Sequence, residues 1–225
     1  MRYAGRIKQI LTSAENAVFK KLMTPQRIQD YLDTLPVNFE MTGETYQSPR
    51  RILETKTAHC FEGALFAAAA LAYRDKKPLL MDLKTISSDD DHVVALFKED
   101  GLWGAISKTN HAILRYRDPI YRSPRELALS YVNEYIMDNG RKSMRSYSHP
   151  FDLSRYPPEE WIIAPGDLDG IAEALDTSRH VPFAPEKTMR RMRRALPFEV
   201  QQLAWDGEWR RGKSPKRYRL HLPYK

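Results

Sequence analysis

Cys60 is the single cysteine of a 225-residue chain, and it stands where the polar stretch Thr57-Ala58-His59 gives way to an apolar run, FEGALFAAAALAY. A thiol nucleophile needs an accessible thiolate, a base beside it and a third group that orients the base. In the first turn of a helix a cysteine meets unpaired N–H groups and the positive end of the dipole, which favour the thiolate. His92 opens the next strongly apolar segment, HVVALFK, and is the candidate base. The orienting group belongs on the strand after it. With a turn over Glu99-Asp100-Gly101, the positions facing His92 fall near Ser107 to Thr109, with Asn110 just beyond. Glu62 works mildly against the thiolate if it points the same way. Adjacent side chains diverge at a helix start, so His59 reads as a loop residue or a substrate contact. The competing reading of Cys60 is a small buried hydrophobe.

These residues need particular elements to bring them together. The run from Cys60 to Tyr73 is rich in alanine and poor in β-branched residues, which predicts a buried helix. Residues 78–84 and 92–98 predict strands, and 102–107 (LWGAIS) predicts the second arm of an antiparallel hairpin. Thr24-Pro25 caps a helix with Ile28, Tyr31, Leu32 and Leu35 on one face, ended by Pro36. Ser48-Pro49 opens a short helix, RRILETK. Ser123-Pro-Arg-Glu126 is a capping box for a helix expected to run to Asn139-Gly140, and a further short helix is expected over 168–175. Helices first, then strands, then a helix predict an α+β fold with a central buried helix packed on an antiparallel sheet.

Three segments in this order, CFEGALFAAAALAYRDKKPLLMDL, DDDHVVALF and DGLWGAIS, resemble the core of the transglutaminase-like superfamily. The resemblance covers residues 48–122. It implies a papain-like fold in which Cys60, His92 and an acid on the following strand form a triad. Four residues after Trp103, where the family carries its aspartate, this chain has Ser107. Asn110 is ranked first to orient His92, as an asparagine does in papain-like proteases, then Ser107, then Asp118. His59 and Trp103 are the candidate substrate contacts, Trp103 being a packing residue first.

No other chemistry is indicated. One cysteine rules out an internal disulfide or a multi-thiolate zinc site, and the six histidines show no metal-ligand spacing. No metal and no cofactor is implied. Asp89-Asp90-Asp91 reads as a solvated loop whose charge favours a protonated His92. The longest apolar stretch is far short of the roughly 20 residues that span a bilayer, and the first residues lack a signal-peptide pattern. A cytoplasmic protein without membrane contact is expected.

Net charge is +7, but residues 187–225 carry twelve Lys/Arg against three acids, leaving the rest slightly acidic. The expected division is a domain over 1–176 and a basic extension over 177–225. Arginines interleaved with Trp205, Trp209 and Tyr218 suit nucleic acid, so that partner is confined to residues 187–225, against the plainer reading of a solvated basic tail. The leading expectation is a cysteine hydrolase or acyltransferase acting on an amide or ester of a peptide, protein or small molecule. The alternatives are a catalytically inactive interaction module of the same fold and nucleic-acid binding through the tail.

Overall fold

The computed structural model describes residues 2–41, 43–111 and 113–203. Side-chain caps begin three of the early helices. Thr12 caps α2 (Ser13–Lys21), which follows α1 (Tyr3–Ile10), and Thr24 caps α3 (Pro25–Thr34). Ser48 caps α4 (Pro49–Thr55), and Lys56 ends it in the left-handed region. The buried helix α5 (Cys60–Tyr73) comes next, in the span its alanine content predicts.

The strands follow: β1 (Leu79–Lys84), β2 (His92–Glu99), β3 (Leu102–Ser107) and β4 (Arg117–Tyr121). Next are α6 (Pro124–Val132), β5 (Ser146–Ser148), β6 (Phe151–Asp152), α7 (Pro158–Trp161), α8 (Asp169–Asp176) and β7 (His180–Pro182). Two short helices, α9 (Glu186–Met189) and α10 (Pro197–Leu203), end the described chain. The strands form one antiparallel sheet in the order β4-β3-β2-β1-β5-β7, and β6 also pairs with β1. The fold is therefore α+β, with an antiparallel sheet and helices on both faces.

Strand alternation divides the core. Leu80, Val93, Ala95, Phe97 and Ile106 pack on the α5 side, whereas Met81, Leu83, Val94, Leu96 and Ala105 pack on the other, against Leu127 and Tyr131 of α6. Ala67 to Ala70 are fully buried, so the small side chains let α5 lie close on the sheet while α1, α3 and α4 cover its remaining sides.

Two expectations change. The helix that begins at Pro124 stops at Val132, not at Asn139. The Tyr135 carbonyl is taken by the Ser143 N–H, and the chain returns through a turn in which the Gly140 N–H donates to the Met137 carbonyl. The chain past Asp176 also stays with the body: β7 pairs with β5, and Phe183 and Met189 join the core on the α6 side. The expected boundary after 176 therefore falls beside a strand of the sheet. Of the basic extension, residues 204–225 lie outside the described residues. No helix among the described residues is long and apolar enough to cross a membrane.

Gly63 tests how tightly α5 is seated. A Cβ there would lie 2.3 Å from Lys108 Cβ, which is anchored just beyond β3. Gly63→Ala gains helix propensity of about 1 kcal/mol, but the overlap forces a shift of packed backbone. We expect a net loss of roughly 1–3 kcal/mol in denaturant unfolding; an unchanged or raised midpoint would show that the contact is loose.

Candidate active site

The helix that carries Cys60 starts where it does because of Glu62. His59 is in extended conformation at the N-cap, and its N–H donates to Glu62 Oε2 at 3.0 Å, the backbone half of a capping arrangement. Glu62 is fully buried. Its carboxylate also accepts from the Gln47 N–H at 3.0 Å, Thr45 Oγ1 at 2.9 Å and Asn38 Nδ2 at 3.2 Å. Asn38, Thr45 and Gln47 are thereby held at the mouth of the helix. The carboxylate that reads from sequence as a mild opponent of the thiolate instead builds the wall beside it.

Cys60 is partly exposed at this mouth, with Sγ 3.9 Å from the Asp91 carbonyl oxygen. Burial pushes its thiol up, but hydrogen bonds and charge from His59 and His92 outweigh it and bring the thiol down to about 6. For His59, burial works against the charged form. The hydrogen bond to and charge of Cys60, the charge of Glu62 and the Thr45 carbonyl reverse this and raise it to about 9. Its Nε2 donates to the Thr45 carbonyl at 2.7 Å and lies 3.5 Å from Glu62 Oε1. The shifts are opposite in sign, the thiol brought down to about 6 and the imidazolium raised to about 9, and each favours the charged form of the other, so the site favours a thiolate–imidazolium pair between those values. His59 is thus no outlying loop residue. It sits against the sulfur and links it to the buried carboxylate.

His92 enters from the start of β2. Its Nε2 is 2.8 Å from Ser107 Oγ, and that hydroxyl donates to the Leu114 carbonyl at 2.7 Å. With its own proton committed, Ser107 accepts the Nε2–H, which fixes the tautomer and leaves Nδ1 unprotonated in the neutral ring. Ser107 is held in turn by Gln29 of α3. The Gln29 amide accepts from the Ser107 N–H at 3.0 Å and donates to the Ser107 carbonyl at 2.8 Å.

The ring nitrogen that sequence ranking gives to Asn110 therefore contacts Ser107. In register, Ser107 pairs with Val94 of β2, two residues inside His92, and its side chain reaches across. Asn110 lines the cleft near His92. Asp118 is exposed on β4. Trp103 is four residues from Ser107, about 13 Å along β3; it packs under Lys98 Nζ and lines neither cavity at Cys60. It is a packing residue here, not a cleft contact.

Two cavities meet at Cys60, and both are lined by His59, Cys60 and Asp91. One, of about 500 Å³, runs toward Tyr46 and α8; the other, of about 390 Å³, runs toward His92, Lys108 and Asn110. A cleft with the sulfur near its middle can hold an extended substrate on both sides of a reacting carbonyl. Asp91 is not simply solvated, because its Oδ1 accepts from the Thr85 N–H at 2.7 Å and so closes the β1–β2 turn. Lys108 is buried, with Nζ donating to the Leu32 and Leu35 carbonyls at the end of α3, and burial lowers it to about 8.

The roles of three contributors were not read from the sequence. Glu62 at the third helical position was a usable signal, obscured because histidine is an uncommon N-cap. Gln29 carried no signal, since its partner is 78 residues away. Asp82, paired with His180 at 3.0 Å, joins β1 to β7, a strand that the sequence does not announce. Comparison with known proteins finds no family model that matches the chain and no curated relative.

Because Cys60 is the only thiol, alkylation reads it without ambiguity. The iodoacetamide rate should rise through an inflection near pH 6 and then level off, and His59→Asn should move that inflection upward. A wild-type inflection close to the free-thiol value of about 8.5 would contradict the ion pair.

Proposed function

We propose that the chain is a cysteine-dependent acyl-transfer enzyme of the transglutaminase-like, papain-like kind, acting on an amide or ester and most simply hydrolysing it. The observation that carries this reading is the placing of Cys60, at the first turn of α5, in one cavity with His92, whose Nε2 is held by Ser107 and through it by the Leu114 carbonyl; these are candidates for nucleophile, base and orienter in turn.

In the reaction, Cys60 sulfur attacks the substrate carbonyl carbon while the thiol proton resides on His92 Nδ1. N–H groups of the first turn of α5, that of Cys60 included, stabilise the oxyanion. His92 then gives its proton to the departing amine or alkoxide, and a thioester forms. In the second half, His92 Nδ1 takes a proton from water, the hydroxide adds to the thioester, and the acid leaves as Cys60 sulfur departs. An amine in place of water gives acyl transfer by the same steps. His59 acts as a fixed counter-charge to the sulfur, held by Thr45 and Glu62.

A serine in place of the family's aspartate favours one rival, a module of the same fold without turnover. Serine orients the ring by a neutral hydrogen bond and cannot stabilise an imidazolium as a carboxylate does. This lowers the expected rate while keeping the geometry.

Incubation with activated esters such as p-nitrophenyl acetate, followed by intact mass spectrometry, should trap an acyl group on Cys60 that turns over. Cys60→Ala should abolish it, and Ser107→Ala should slow turnover by roughly 100-fold with the fold retained. A protein that alkylates normally yet never acylates would favour the inactive module.

A further inference from the structure

The two sides of the cleft differ in charge. The side toward α8 is walled by six carboxylates, Glu44, Asp82, Asp91, Asp169, Glu173 and Asp176, and His59 is the single basic group among its described lining residues. The other side mixes acids with Lys108, His92 and His111. Acidic walls are common, but one member of this wall is unusual. Asp82 on β1 is only 3% exposed. Its Oδ2 is paired with His180 Nε2, whereas its Oδ1 is buried with no hydrogen-bond partner. Carboxylate oxygens of Asp82, Asp91 and Asp176 all lie within 4.8 Å of one another. A buried carboxylate oxygen without a donor, set among two further carboxylates in a cavity wall, is an acceptor awaiting a cationic donor.

We propose that Asp82, Asp91 and Asp176 form a subsite beside Cys60 that takes the ammonium or guanidinium end of a basic substrate side chain. Several observations favour an organic cation over a divalent metal ion. Lys84 Nζ already lies 2.7 Å from Asp176 Oδ1, and His180 contacts Asp82 from the other side. Lys84 repels a dication at close range, and His180 already occupies the other oxygen of Asp82. A singly charged group that brings its own N–H donors meets less repulsion and satisfies the orphaned oxygen. Burial, the first influence on Asp82, raises its carboxyl and the nearby Asp91 adds to this, so a bound cation would relieve a charge that the protein alone leaves poorly compensated. The cavity of about 500 Å³ has room for a lysine or arginine side chain leading away from Cys60.

The inference rests on Cys60 being the reacting group of the cleft, and the test separates the two. Methanethiosulfonate reagents label the lone cysteine with a 2-aminoethyl, a 2-sulfonatoethyl or a smaller, neutral methyl group. The neutral reagent reports on the thiolate alone, and the ratio of aminoethyl to methyl rates, referred to the same ratio for free N-acetylcysteine, reports on the subsite. We expect a ratio at least roughly fivefold above that reference, the size of effect a partly screened charge pair produces. The sulfonatoethyl reagent should be disfavoured. Asp82→Asn and Asp176→Asn should each reduce the aminoethyl preference without changing the methyl rate. Lys84→Met, which uncovers Asp176, should raise it. Asp176 has a side chain 59% exposed, so its variant remains informative even if the buried Asp82 variant does not fold. An unchanged ratio in Asp176→Asn overturns the proposal. So does loss of the wild-type preference in millimolar calcium or magnesium, which would assign the carboxylates to a metal.

Discussion

The carboxylate of Glu62 is buried in the first turn of α5, and the arrangement around Cys60 depends on it. A carboxylate withdrawn from water is tolerated only where donors surround it, and Glu62 has the backbone N–H groups of His59 and Gln47 together with the side chains of Thr45 and Asn38. Those bonds fix where the helix begins and hold Asn38, Thr45 and Gln47 against its first turn. They also place a negative charge 3.5 Å from the His59 ring. The His59 imidazolium is therefore held from behind by a carboxylate and faces the sulfur in front. Stabilisation passes along the short sequence His59-Cys60-Phe61-Glu62, within one turn of helix.

The second support comes from the sheet. His92 is fixed by a hydroxyl on the neighbouring strand, and that hydroxyl is fixed by the Leu114 carbonyl and by the two-way bond between Gln29 and the Ser107 backbone. Each link is neutral. The positive charge beside the sulfur is thus compensated on the Glu62 side, and the ring on the Ser107 side is directed without a strong pull on its proton.

Much of this was legible in the residues. An alanine run without β-branched residues can hardly form anything but a tightly packed helix, and the α5 span follows from it. The continuous apolar run in HVVALFK and the turn at Asp100-Gly101 give the β2–β3 hairpin, hence the proximity of His92 and Ser107. Ranking Asn110 above Ser107 failed to anticipate the contact because strand register says which backbone atoms are opposed, not how far a side chain reaches across. The continuation of the sheet into His180–Pro182 was hidden because a three-residue strand carries no period, and the true end of α6 was hidden because it depends on a carbonyl captured by Ser143. Long-range polar contacts, Gln29 to Ser107 and Asp82 to His180, have no local signature at all.

The chemistry of Cys60 turns on the charge state of its pair with His59. Nitrogen-15 chemical shifts of the histidine rings, followed from pH 5 to 10 in the wild type and in Cys60→Ser, measure it directly. His59 should remain an imidazolium at pH 8 in the wild type and should be neutral at that pH once the sulfur is replaced, because the thiolate supplies much of what holds its proton. A His59 ring that is already neutral at pH 8 in the wild type would contradict the account.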